Sequence, residues 1–80
     1  MNYRYYILSV QYRRAHLLTE TGDYDRAEKL LIEGIKSNHE MGDNRHESMY
    51  KFSLARLQMK KGQYVQAKST LLDVHGQLEK

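Results

Sequence analysis

The stretch AHLLTETGDYDRA at residues 15–27 returns as ARLQMKKGQYVQA at residues 55–67. Ala15, Gly22, Tyr24 and Ala27 recur as Ala55, Gly62, Tyr64 and Ala67, and just beyond the quoted stretch Leu31 recurs as Leu71. Each pair is forty positions apart, and five identities at one offset in a chain of 80 residues mark a repeated supersecondary unit. The residue types matter as much as their number. Alanines let two helix backbones approach, glycine permits the reversal between them, and a tyrosine just after it fills the gap.

The apolar spacing around both stretches is helical. From about Tyr64, the residues Tyr64, Ala67, Leu71, Val74 and Leu78 step by three and four, which predicts a helix with one buried face. Gln66, Lys68, Ser69, Asp73 and Gln77 fall off that stripe. The counterpart from about Tyr24 aligns Tyr24, Ala27, Leu31 and Ile35, with Leu30 alongside, and Asp23 is placed to cap its first turn. Two further helices, about Tyr3 to Thr21 and about Asn44 to Lys61, have broader apolar faces. Tyr5, Leu8, Tyr12 and Ala15 align in the first; Phe52, Ala55 and Met59 align in the second, flanked by Met49, Leu54 and Leu57. Such breadth implies contacts on two sides. Gly42 is placed to end a helix, and Asn44 with Glu47 fits a capping box that starts the next. No segment alternates with period two for long. The expectation is an all-α chain, a single domain over residues 1–80, built as two stacked antiparallel helical hairpins at residues 3–42 and 43–80.

Composition narrows the function classes. With no cysteine and no proline, disulfides and thiolate metal sites are excluded and the helices run uninterrupted. The apolar runs are too short to span a bilayer or form the core of a signal peptide, so no membrane partner and a cytoplasmic location are expected. A net charge of +3 and a pI near 9.2 raise nucleic-acid binding as a third reading. Tyr3, Arg4, Tyr5 and Tyr6 would offer rings to stack on bases beside a phosphate-binding arginine. From Asp23 onward, however, the signs are interspersed, and Lys60 with Lys61 is a pair rather than a run. Solvated helix faces are therefore expected, and a nucleic-acid partner is not. His16 and Glu20 have the one-turn spacing of two metal ligands, but His39, His46 and His75 come from other segments and complete no set. No cysteine nucleophile, glycine-rich phosphate loop or Ser-His-Asp arrangement is present. No catalysis, cofactor or metal is expected.

The ordered set of a small residue, Gly-Asp-Tyr and Ala in residues 15–27, echoed by Ala55, Gly62, Tyr64 and Ala67, resembles the tetratricopeptide repeat family. The forty-residue spacing is similar to a longer-repeat branch of that family in which Gly-Asp follows the second helix, as Gly42 and Asp43 do here. The resemblance covers about Leu8 to Leu78. Gln11 and Lys51 stand where the family has a bulky aromatic, Gly34 occupies a small position that Val74 fills in the second unit, and the closing proline is absent.

The resemblance implies an α-solenoid whose first helices line a concave surface. On that basis Tyr12, Arg13, His16 and Glu20 from the first hairpin, with Met49, Phe52, Arg56, Met59 and Lys60 from the second, line a groove for a peptide or a partner's helix. Aromatics and methionines supply adaptable apolar contacts, and arginine can fork onto a carboxylate or a carbonyl. The family's carboxylate clamp of lysines and asparagines is not reproduced, since Asn2, Asn38 and Asn44 lie elsewhere. The branch implies a scaffold or a bacterial-type regulator that binds a protein or peptide partner. The alternative is a structural module that associates with its own copies. Two repeats leave both outer surfaces unmatched, with Val65 and Leu72 open beside the last stripe, so a homo-oligomer or membership of a longer array is expected.

Overall fold

The computed structural model describes residues 3–78, with side chains described over residues 10–76. Within them the chain is four helices: α1 Tyr3–Glu20, α2 Tyr24–Glu40, α3 Asn44–Lys60 and α4 Tyr64–Leu78. Each packs on its neighbours in sequence, and α1 also touches α3. The result is an all-α stack of helical hairpins, 38 × 30 × 14 Å across its Cα positions. No helix among the described residues is long and apolar enough to cross a membrane.

The three connections are copies of one turn. Gly22, Gly42 and Gly62 take φ of 88°, 71° and 79°, the left-handed region that only glycine enters freely. The residue after each glycine donates its N–H back across the turn: Asp23 to Leu18 O at 2.8 Å, Asp43 to Asn38 O at 2.9 Å and Gln63 to Gln58 O at 2.8 Å. These are Schellman closures, which satisfy carbonyls that a helix end would otherwise leave unpaired.

The helix starts differ from expectation. Asp43, one residue before Asn44, caps α3: its Oδ1 accepts from the His46 N–H at 3.1 Å, and Nδ1 of the His46 ring lies 2.7 Å from its Oδ2. The N-cap is therefore Asp43 and not Asn44. Glu47 is buried and turns instead to Lys51 Nζ at 3.1 Å and His39 Nδ1 at 3.2 Å, joining α3 to α2. Asp23 is the N-cap of α2, but its carboxylate makes no capping hydrogen bond and sits 3.6 Å from Arg26 Nε.

The core lies where the hairpins meet. Ala15, Ala27 and Leu31 of the first hairpin are buried against Tyr50 and Leu57 of the second, with Tyr12, Leu18, Tyr24, Leu30, Ile35 and Leu54 packed around them. Each buried leucine contributes about 1.5–3 kcal/mol by leaving water. Tyr50, the largest fully buried side chain, stands on none of the expected stripes. A Cβ placed on Gly34 would overlap the Cδ2–Cε2 edge of its ring, so glycine at that point of α2 is what lets the ring approach.

Two expected stripes are only partly buried. In α3 Ala55 is buried, whereas Phe52 and Met59 are half exposed; in α4 Ala67 and Val74 are buried, whereas Tyr64 and Leu71 are exposed. The cause for α4 is direct: α2 lies between α1 and α3, while α4 has only α3 against it among the described residues. Val65 and Leu72 are open, as anticipated. The side chains of Tyr5, Leu8 and Leu78 lie outside the described residues.

Gly34→Ala should cost about 1–3 kcal/mol by overpacking the Tyr50 ring, outweighing the ~1 kcal/mol that alanine gains over glycine in a helix interior. Urea denaturation checks it, and adding Tyr50→Leu should cost less than the two changes summed, because they share one contact. At the caps, Asp43→Ala should lose about 1 kcal/mol, while Asp23→Ala should lose clearly less in the same measurement.

Candidate functional site

Helix α3 buries Glu47, Tyr50 and Leu57 on one side and Ser48 and Ala55 on another. What remains turned outward is a stripe at three- and four-residue spacing, Met49, Phe52, Arg56, Met59 and Lys60, all exposed. Helix α1 runs beside it and contributes Tyr12, His16 and Glu20. Two polar contacts hold the pair in register: Ser53 Oγ donates to Tyr12 Oη at 2.9 Å, and Lys60 Nζ lies 3.5 Å from Glu20 Oε1. Below them the Tyr12 and Tyr50 rings meet tilted at 53° with centroids 5.1 Å apart, an arrangement aromatic pairs favour.

Two depressions on the joint surface are lined by described residues. Tyr12, His16, Glu20, Ser53 and Arg56 border a cleft of about 20 Å³, little more than the room one water needs. It admits no side chain, so its polar rim acts as a surface. Tyr12, Met49, Phe52, Arg45, Ser48 and Val74 border an open hollow of about 260 Å³, which has room for an apolar side chain. Among the described residues, none forms an ion pair with Arg56, leaving its guanidinium available to a carboxylate.

The residues expected in a groove therefore divide. Tyr12, His16, Glu20 and Arg56 come together at the cleft, Met49 and Phe52 join Tyr12 at the hollow, and Lys60 is tied to Glu20. Arg13 is exposed but lines neither depression. Met59, at the α4 edge of that stripe, borders with Tyr64, Ala67, Leu71 and Leu72 a trough of about 440 Å³. Ser53, Arg45, Ser48 and Val74 were missed. Arg45 follows the same three-to-four spacing as Met49 and Phe52, so extending that stripe toward the helix start would have found it. Val74 comes from α4, and no local pattern links it to α1.

Other chemistry is sparse. No cluster of His, Asp and Glu among the described residues is placed to hold a metal, so His16 and Glu20 gain no further ligand. The side chains of Tyr3, Arg4, Tyr5 and Tyr6 lie outside the described residues. Lys61 bridges the hairpins at the turn end, 2.8 Å from Glu28 Oε2 and 3.8 Å from Asp25 Oδ1, and its hydrogen bond to Glu28 holds the ammonium above its ordinary pKa. No protein-family model, curated protein or solved structure matches the chain.

Burial, with a smaller contribution from the Tyr12 phenol, pushes the Tyr50 hydroxyl from 10.0 up to about 12. The neutral phenol is thus favoured in the folded chain: its contribution to stability is intact below pH about 10 and is lost as pH rises through about 12. Tyrosinate absorbance should show one of the seven tyrosines ionising late, together with loss of helicity. Tyr50→Phe should remove that late step.

Proposed function

We propose that this chain is a noncatalytic, tetratricopeptide-like binding module that receives a peptide or a partner's helix across α1 and α3. The supporting observation is the outward stripe of α3. Met49, Phe52 and Arg56 recur at helical spacing on the face opposite the buried one, and no element among the described residues covers them. An apolar hollow, one helical turn along α3 from the Arg56 guanidinium that has no ion-pair partner among the described residues, suits a ligand that carries an apolar side chain a short distance from a carboxylate. Hydrophobic burial supplies affinity there, and the charge fixes register. The repeated Ala, Gly, Tyr, Ala set and the forty-residue period support the family reading, and the scaffold or regulator role follows from that reading.

A displayed library of amphipathic acidic peptides, read by fluorescence polarisation, tests the proposal. Arg56→Glu should weaken selected peptides by about 1.5–3 kcal/mol, the worth of hydrogen bonds to a charged group. Met49→Ala should also weaken them, and Lys29→Glu, on the exposed side of α2, should not. Affinities indifferent to both Arg56→Glu and Met49→Ala would move the interface off this face.

A further inference from the structure

The single forty-residue register makes each contact between the hairpins specify two further positions. One lies forty residues on, at the far side of the second hairpin; the other lies forty back, at the outer side of the first. Tyr50 and Leu57, 1% and 0% exposed, are what α3 lays on the first hairpin, and Ala15, Ala27 and Leu31 receive them. Forty back from Tyr50 and Leu57 stand Val10 and Leu17 on α1, which are 50% and 59% exposed. Forty on from Ala15, Ala27 and Leu31 stand Ala55, Ala67 and Leu71, and Leu71 is 39% exposed on the 440 Å³ trough. Among the described residues, one end thus carries Val10 and Leu17 without a receiver, and the other carries Leu71 and the trough without an occupant, while Ala55, Ala67 and Val74 are already buried within the second hairpin. The internal interface continues into both.

From this we infer that copies of this chain stack head to tail, α1 of one copy docking on the α3–α4 end of the next in the register that α3 uses on α1 and α2. Carrying the internal contacts forward tests the fit. Tyr50 on Gly34 becomes Val10 on Val74: the receiving position gains a side chain as the docking position loses a ring, so bulk is redistributed rather than added. Leu57 beside Leu31 becomes Leu17 beside Leu71, with nothing changed. The Lys60–Glu20 pair becomes Glu20 of one copy facing Lys60 of the next, so the signs exchange places and remain opposite. Ser53 on Tyr12 becomes Arg13 on Phe52, a guanidinium over an exposed ring, which gives a use to an arginine that lines neither depression. Two correspondences are weaker: the Lys61 bridge to Glu28 and Asp25 becomes Thr21 beside Lys68 and Val65, which carries no ion pair, and Arg14 stands where α3 has the half-buried Leu54, where its aliphatic stem can cover the strip while the charge stays at the rim.

Head-to-tail contact covers both open ends at once, whereas back-to-back pairing of α4 faces would leave Val10 and Leu17 in water. Being heterologous, it propagates unless it closes into a ring. Sedimentation of the full chain over a concentration series, with Leu17→Glu and Leu71→Glu variants alone and mixed, decides it. The wild-type mass should rise past that of a dimer. Each variant should be monomeric with unchanged helicity, and either change should weaken the contact at least ~tenfold (~1.4 kcal/mol). An equimolar mixture should form a dimer and nothing larger, since Leu17→Glu keeps the receiving end and Leu71→Glu keeps the docking end. A wild type that stays monomeric at millimolar concentration overturns the proposal. So does a variant that still dimerises alone, which would mean α1–α1 or α4–α4 pairing, and so does a mixture that stays monomeric. If either variant loses helicity, Val10→Glu and Leu72→Glu, both at exposed positions, take their places with the same outcomes.

Discussion

The ring of Tyr50 rests on the Gly34 backbone, and the arrangement of the two hairpins follows from that contact. A large aromatic can lie between two helices only where the opposing helix gives up a side chain, and Gly34 is where α2 does so. With the ring seated there, Leu57 two turns further along α3 meets Leu31 and Ala27, and the rest of the interface falls into register. The cost is a glycine inside a helix, about 1 kcal/mol relative to alanine. The gain is the burial of an entire aromatic side chain, which is larger.

The same repeated unit sits in two environments, and its residues behave accordingly. Leu31 and Leu71 are the same residue at the same place in their hairpins, yet one is buried and the other is exposed; Tyr24 and Tyr64 diverge in the same direction. Burial in a stacked array belongs to the neighbour as much as to the sequence. Hairpin 2 meets this with polar contacts of its own: Thr70 Oγ1 donates to Gln58 Oε1 at 2.8 Å between α4 and α3, and Lys51 Nζ reaches both Glu47 and Asp73.

The two proposed interactions overlap at Phe52, Val74, Glu20 and Lys60. The outward face of α3 is apolar and cationic, and it is shared with α1 through Ser53, Tyr12, Lys60 and Glu20. The ends are apolar and are defined by the repeat. Phe52 and Val74 border the hollow of the first and receive Arg13 and Val10 in the second, so stacking and ligand binding would compete for it.

By itself the sequence determined the helices and their turns. Glycine needs no neighbour to take positive φ, and apolar periodicity is a local property, so α1 and α3 lie within about one residue of their expected bounds and α2 and α4 start where expected. Caps were legible only to a residue, because Asp43 and Asn44 are both competent and the choice turns on where the Schellman turn at Gly42 leaves the chain. The identities of the buried residues in α3 were not legible. A helix packed on both sides carries more than one apolar stripe, and spacing alone cannot say that Tyr50 turns inward while Phe52 and Met59 turn out. The Gly34–Tyr50 contact, the buried Glu47 and the gathering of Tyr12, His16, Glu20 and Arg56 required the tertiary structure. Each joins residues from different helices, and relative rotation and offset are set by how whole side chains interlock.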